Sequence, residues 1–231
     1  MKYAIAVCLV ALTSGLFAPS IAAQAAALQP GISVDLVPTH NASPMPEADS
    51  EHAFIVAVTA NGSVYLGVHS ITLAELTEKT RSTPFRRGHA LYIKADARTP
   101  YATVLEVLKA TRTGGLIPQV LLTGQSASAG SGAITPPQGL EVSLGSAFPS
   151  GTVATVVELL PSVEQRPLVR INHDQISWLE LESTLRRHFQ KGDDKLVLLR
   201  ADVRLPFSDI VGAMDSCRAA GAKVYLAEPG L

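Results

Sequence analysis

Hydrophobic positions along the chain follow one pattern twice. The segment from Lys94 to Gly115 recurs from Arg200 to Gly221 at constant spacing. In each copy, apolar residues have the i, i+3, i+4, i+7 spacing of an amphipathic helix that buries one face. These residues are Tyr101, Val104, Leu105 and Leu108 in the first copy, and Phe207, Ile210, Val211 and Met214 in the second. The pattern predicts a duplicated small domain.

Polar and turn-forming residues recur in the same register. Asp96, Arg98, Pro100, Arg112 and Gly115 of the first copy reappear as Asp202, Arg204, Pro206, Arg218 and Gly221 in the second. Each proline is predicted to open its helix at the first turn, where the missing N–H costs little. The duplication therefore includes loops and helix ends as well as the buried stripe.

Strands and further helices surround each copy in one order. The first unit has predicted strands at 31–36, 54–59, 64–68, 90–95 and 119–123, and helices at 73–80 and from 100 onward. The second has predicted strands at 139–144, 153–160, 168–172, 196–201 and 223–227, a helix through Ile176, Trp178 and Leu181, and another at 206–219. Asn61-Gly62 is a strong hairpin signal because both residues tolerate positive φ.

Each unit thus reads as β, β-hairpin, α, β, α, β, which predicts the α+β class and two tandem two-layer α/β sandwiches. The first domain is expected at 31–125 and the second at 139–231. Residues 126–138 between them are rich in Ser, Ala and Gly and are predicted to be a linker. Because each core is small, we expect the two domains to pack against each other.

The N-terminal segment, residues 1–25, is predicted to be a signal peptide. Lys2 precedes an apolar run from Ala4 to Leu12, Pro19 breaks the segment, and Ala23-Gln24-Ala25 fits a cleavage site. The alternative is an uncleaved anchor, since the apolar stretch continues to Leu28. The predicted location is the periplasm, with an inner-membrane protein carrying a periplasmic body as the alternative.

Composition limits the class of function. Of 231 residues, 47% are hydrophobic and 17% charged, which is typical of a globular protein. The formal net charge of -1 offers no electrostatic basis for nucleic-acid binding. Cys8 lies in the predicted signal, so Cys217 would be alone in the mature chain and is expected to be a small core residue.

Two aspartates are the strongest candidates for chemistry. Asp96 and Asp202 each follow a buried strand and precede a helix, a position that hosts sites in open α/β sheets. The structural alternative, which we favour, is that each carboxylate caps its turn or the next helix and pairs with Arg98 or Arg204. The six histidines show no zinc-ligand spacing. The sequence therefore predicts no catalytic residue, cofactor or metal.

Several of these segments resemble the periplasmic domain of the ExbD/TolR family. The end of the family's hairpin and its first helix are similar to residues 172–177 (Asn-His-Asp-Gln-Ile-Ser) and 179–181. The strand, helix and strand that end the family domain are similar to 198–202 and 206–224. The first unit matches through 61–66, 91–96 and 100–105. The resemblance covers most of the chain after the predicted signal, once in each unit.

The resemblance implies a non-enzymatic protein of an inner-membrane motor complex that uses proton flow. Family domains are usually dimeric; TolR-like members are linked with peptidoglycan and ExbD-like members with energised outer-membrane transport. This chain departs from the pattern because no Asp or Glu lies between Tyr3 and Leu28, where the family's membrane helix carries a proton-relay aspartate. The duplication suggests that a contact between protomers is made within one chain; a homodimer is the alternative.

The first functional hypothesis is an accessory protein of proton-motive-force-driven biopolymer transport or envelope energy transduction. It would bind protein partners of a motor complex, or peptidoglycan, by strand addition at edge strands 119–123 and 223–227. The edge residues expected to bind are Val120, Leu121, Leu122, Val224, Tyr225 and Leu226. The second hypothesis is a peptidoglycan- or small-ligand-binding periplasmic module independent of any motor. A third, an exported hydrolase, lacks a recognisable nucleophile and base.

Overall fold

The computed structural model describes residues 31–82, 90–112, 119–125, 137–145, 153–164, 166–190 and 195–228. The predicted signal and most of the predicted linker lie outside these residues. The first repeat contains β1 (Pro38–Thr39), β2 (Ser43–Pro44), β3 (Phe54–Val58), β4 (Val64–Leu66), β5 (His69–Ser70), α1 (Leu73–Ser82), β6 (Leu91–Ala95), α2 (Tyr101–Thr111) and β7 (Gln119–Gln125). The second contains β8 (Gln138–Leu144), β9 (Thr155–Leu160), β10 (Leu168–Ile171), β11 (Asp174–Ile176), α3 (Leu181–Phe189), β12 (Leu196–Ala201), α4 (Phe207–Ala219) and β13 (Lys223–Leu226).

The element order confirms the mixed α+β class and its repetition. Residues 31–36, predicted to be a strand, form none, and the short strands β1 and β2 of the first repeat were not predicted. Each repeat also has an unpredicted strand after its hairpin, β5 in the first and β11 in the second. These strands form because the chain reverses directly after the hairpin, at Gly67 (φ 62°) and at Asn172 and His173 (φ 47° and 80°). Ile176, expected at the start of a helix, therefore ends β11.

All strands belong to one sheet that runs through both repeats. Its order is β11-β10-β9-β12-β13-β8-β7-β6-β3-β4-β5, with β1 beside β7 and β2 beside β8. β7 and β8 pair antiparallel from Gln119↔Val142 to Thr123↔Gln138 and so join the repeats. Gly139 is needed at this crossing, because a Cβ there would stand 2.5 Å from Val120 Cγ1 and 3.1 Å from Met45 Cγ.

The predicted edge positions of β7 and β13 are wrong. β7 lies between β6 and β8, and β13 lies between β12 and β8, because the first strand of the second repeat pairs with both. The strands at the two ends of the sheet are β5 and β11. The six residues proposed as edge binders are buried: Val120, Leu121, Leu122, Val224, Tyr225 and Leu226. The physical basis for strand addition at those sites is therefore absent.

The main core lies between the sheet and the helices. Both predicted helical stripes are buried in it, including Val104 and Leu108 on α2 and Ile210 and Met214 on α4. Cys217 lies in the same core, and burial raises the pKa of its thiol to about 12. Among the described residues, no α-helix has the length and hydrophobicity needed to cross a membrane.

Candidate functional site at the junction of the repeats

The two repeats contact each other through corresponding residues. Pro100 and Pro206, which occupy the same place in the two copies, form an antiparallel bridge. The Tyr101 N–H donates to the Leu205 carbonyl at 2.8 Å, and the Phe207 N–H donates to the Thr99 carbonyl, also at 2.8 Å. Tyr101 corresponds to Phe207 and Thr99 to Leu205, so each bond is the symmetry mate of the other.

A second pair of hydrogen bonds follows the same rule. The Ala102 N–H donates to the Val203 carbonyl at 2.9 Å, and the Ser208 N–H donates to the Ala97 carbonyl at 3.0 Å. An interface in which residue i contacts j and the copy of j contacts the copy of i is isologous, as in two-fold dimers. The junction therefore has local two-fold symmetry within a single chain.

These bonds satisfy the N-termini of α2 and α4. The first N–H groups of any helix have no partner within the helix. Pro100 and Pro206 stand at the N-cap positions and make no side-chain cap. The carbonyl groups of the other repeat take that role, so each helix start is completed only when the repeats are together.

Asp96 and Asp202 hold the loops that form the junction. The Asp96 carboxylate accepts from the Arg98 N–H and from Arg98 Nε and Nη2 at 2.9–3.1 Å, and from the Asp35 N–H at 3.2 Å. The Asp202 carboxylate accepts from the equivalent three donors of Arg204 at 2.8–2.9 Å. The arginine contacts lie within each loop, and the Asp35 contact ties the first loop to the N-terminal part of the repeat, in accord with the structural alternative for both aspartates.

We expect these loops to make the protein sensitive to acid. Hydrogen bonds from the Arg98 side chain hold the pKa of Asp96 far below its usual range, and those from Arg204 lower the pKa of Asp202 to about 2. A carboxyl whose folded pKa is depressed stabilises the fold above its unfolded pKa of about 3.9 and loses that contribution as pH falls towards the folded value. Urea titrations from about pH 5 to about pH 2 should show a steeper loss of stability than in Asp96→Asn/Asp202→Asn. Glu51→Gln, which removes an exposed carboxylate, should keep the wild-type slope.

Asp215 forms a second connection between the repeats, and sequence reasoning missed it. Its carboxylate, on α4, accepts from the His40 N–H at 3.1 Å, the Asn41 N–H at 2.8 Å and Asn41 Nδ2 at 3.2 Å. One turn later, Arg218 Nη2 donates to Ser43 Oγ at 3.0 Å. One feature of the sequence could have indicated this role: the acidic residue directly follows Met214, which lies on the buried stripe of the helix.

Asp215→Ala should lower the free energy of unfolding by about 1.5–3 kcal/mol. The substitution leaves two backbone N–H groups of the 40–41 turn without their acceptor, and the residue is only 9% exposed. Asp215→Asn retains one carbonyl oxygen and should lose less. The measurement is chemical denaturation of the full chain at neutral pH. Equal losses in the two variants would contradict an acceptor role for Asp215.

The described residues show no cluster suited to a metal ion. No group of three or more His, Cys, Asp or Glu side chains in this part of the chain is placed to hold a metal ion. The junction is instead built from backbone hydrogen bonds, ion pairs within loops, and Arg112 of the first repeat pairing with Glu228 of the second at 2.7 Å. Such an arrangement holds the two repeats in a defined relative position.

Comparison with known families assigns both repeats to the same family. The family model described as "Biopolymer transport protein ExbD/TolR" matches residues 20–127 and again residues 127–229. Comparisons with curated proteins and with solved structures found no match. The two family matches together span most of the chain, and their common boundary falls in the predicted linker.

Proposed function

Because this chain belongs to the ExbD/TolR family, with the family domain present twice, we propose that it is a non-enzymatic cell-envelope protein that acts by binding other proteins. The family relates it to biopolymer transport and energy transduction across the envelope. The observation that carries the proposal is the double family match on a fold whose repeats dock with two-fold symmetry.

A single chain then supplies what two family protomers supply elsewhere. The Pro100–Pro206 junction and the β7–β8 pairing are the contacts expected of a dimer, made here between repeats. We therefore expect the mature protein to be a monomer in solution, at or below the 24.3 kDa of the full chain. Sedimentation equilibrium measures this mass. A tight dimer at micromolar concentration would contradict an internal replacement of the family contact.

The proposed role is accessory and does not include proton passage. No Asp or Glu lies between Tyr3 and Leu28, so the N-terminal segment offers no carboxylate within a bilayer. The proposed location is the periplasm, with an N-terminal inner-membrane anchor as the alternative. The intact mass of the protein from membranes and from soluble extract separates the two. A chain beginning near Ala25 has lost its signal, and one that retains Met1 is anchored.

Affinity purification of the tagged full chain from its native envelope tests the proposed partners. We expect proton-channel subunits of an inner-membrane motor to co-purify, and the same tag on an unrelated periplasmic protein is the control. Retention on purified peptidoglycan sacculi without any motor subunit would favour the second candidate, a wall-binding module. If the purified protein catalysed a reaction on a component of the cell envelope, the proposal that it is not an enzyme would be contradicted.

A further inference from the structure

The sheet face that points away from the helices differs between the repeats. In the first repeat this face carries Tyr92, Val120 and Leu122, which are buried with Ala48 and packed against Met45. In the second repeat the same face carries aliphatic side chains that remain half-buried: Val156, Leu160, Leu168, Leu196 and Leu198. None of the four described helices covers this second face, because α3 and α4 pack with Val157, Leu199 and the other inward residues.

A row of charged side chains crosses the second face. Glu158 on β9 is the direct register partner of Arg170 on β10 and of Arg200 on β12. Their neighbours along the strands, such as Val157 and Leu199, are in the helix-side core. Because successive side chains of a strand point to opposite faces, the three charged residues point away from the helices.

The row is not neutralised within the described residues. One carboxylate stands between two guanidinium groups, and Arg200 Nη1 lies 3.9 Å from Glu158 Oε1, at the outer limit of an ion pair. The Nε atoms of Arg170 and Arg200 are buried and have no hydrogen-bond partner in the part of the chain that the structure describes. Unused guanidinium donors beside aliphatic side chains are costly to desolvate unless an acceptor is supplied.

The fold itself does not require this row. At the matching positions of the first repeat, Ala57 pairs with Tyr65 and with Lys94. Lys94 corresponds to Arg200, but alanine stands where the second repeat has glutamate, and tyrosine where it has Arg170. The same sheet is thus built without an Arg–Glu–Arg row, which makes the row a specific property of the second repeat.

We propose that this second-repeat face, formed by Glu158, Arg170, Arg200, Val156, Leu160 and Leu198, binds an acidic peptide segment of a partner protein. Carboxylates of the peptide pair with the guanidinium groups of Arg170 and Arg200, because arginine binds carboxylates through parallel charge-assisted hydrogen bonds. Its apolar side chains cover the half-buried aliphatic residues. The inference names the partner chemistry for a protein that acts by binding, and in that respect it rests on the proposed function.

The test uses the full chain and a fluorescein-labelled peptide in which Glu and Val alternate. A peptide with Gln in place of each Glu is the uncharged comparison, and fluorescence anisotropy measures both affinities. We expect the Glu peptide to bind about ten-fold more tightly than the Gln peptide, and this preference to shrink at about 0.5 M salt. Arg170→Gln/Arg200→Gln should weaken binding of the Glu peptide about ten-fold, and Glu158→Gln should strengthen it.

A charge-matched control separates this face from a general effect of net charge. Arg81→Gln/Arg187→Gln removes two exposed arginines from α1 and α3 and should leave the affinity within about two-fold. Arg170→Lys/Arg200→Lys keeps both charges but loses the planar donors, so an intermediate affinity is expected. If the double Gln variant does not fold, this conservative variant tests whether the two arginines bind the peptide.

Three outcomes would overturn the inference: equal affinity for the Glu and Gln peptides, no binding of either, or an equal loss in the control variant. Retention on sacculi that depends on Arg170 and Arg200 without peptide binding would also overturn it and assign the face to wall carboxylates. Co-purification of a motor with failed peptide binding would refute this inference alone. Peptide binding without motor subunits would instead refute the proposed motor partners.

Discussion

Phe207→Ala lowers the free energy of unfolding of the full chain by about 3–5 kcal/mol, the usual cost of removing a buried aromatic side chain. Phe207 is 1% exposed and begins α4, where its N–H also donates across the junction to Thr99. Phe207 belongs to a core cluster that contains residues of both repeats, and close packing in such a core limits collapse around the cavity. Urea denaturation followed by circular dichroism measures the loss.

Two control variants test whether the loss of stability in Phe207→Ala comes from removing a side chain packed at the junction. Tyr101→Phe, at the corresponding position of the first repeat, should leave stability unchanged or raise it, because the Tyr101 hydroxyl is buried and no described residue hydrogen-bonds to it. Leu179→Ala removes a side chain that is 94% exposed and should change stability by less than about 0.5 kcal/mol. A loss as small for Phe207→Ala would mean that α4 is not packed at the junction.

Leu121→Pro should prevent stable folding of the whole chain. Leu121 is fully buried in β7, which pairs with β6 on one side and with β8 of the second repeat on the other. Proline removes a ladder hydrogen bond and is confined in sheets to edges and bulges. Because β7 joins the two repeats, we expect the damage to extend to both.

Leu121→Ala separates the loss of the backbone hydrogen bond from the loss of the side chain. Truncation alone should cost about 2–5 kcal/mol and leave a cooperative transition with a lower urea midpoint. The proline variant should instead lack a native transition in circular dichroism and expose the chain to proteolysis. A folded Leu121→Pro protein that had lost only partner capture would support the edge-strand interpretation, in conflict with the β7–β8 pairing.

Local patterns were sufficient for the repeat and most of its elements. The stripe from Tyr101 to Leu108 and its copy from Phe207 to Met214 predicted two helices that the structure buries on one side. Such patterns are readable because helix and strand periodicity depends on neighbours within a few residues. The pattern did not predict the additional strands β5 and β11, because each is only two or three residues long and follows a chain reversal at residues with positive φ.

The pairing of β8 with β7 could not be predicted from periodicity. A buried strand has the same pattern whether one or both of its edges are paired, since side chains alternate between faces and say nothing about the edges. For that reason 119–123 and 223–227 read as final strands of separate domains. The roles of Asp215 and of the Arg170–Glu158–Arg200 row were missed for a related reason, because their partners are distant in sequence.

The sequence by itself determined the repeat, the order of the helices and of the longer strands from residue 54 onward, the buried helical stripes and the family. Those features are encoded in short-range spacing and in recurring residue types. Only the tertiary structure decided that one sheet runs through both repeats, that Pro100 meets Pro206 at a local two-fold axis, and which sheet face of the second repeat the described helices leave uncovered. These depend on register and docking between segments far apart in the chain, which no local pattern specifies.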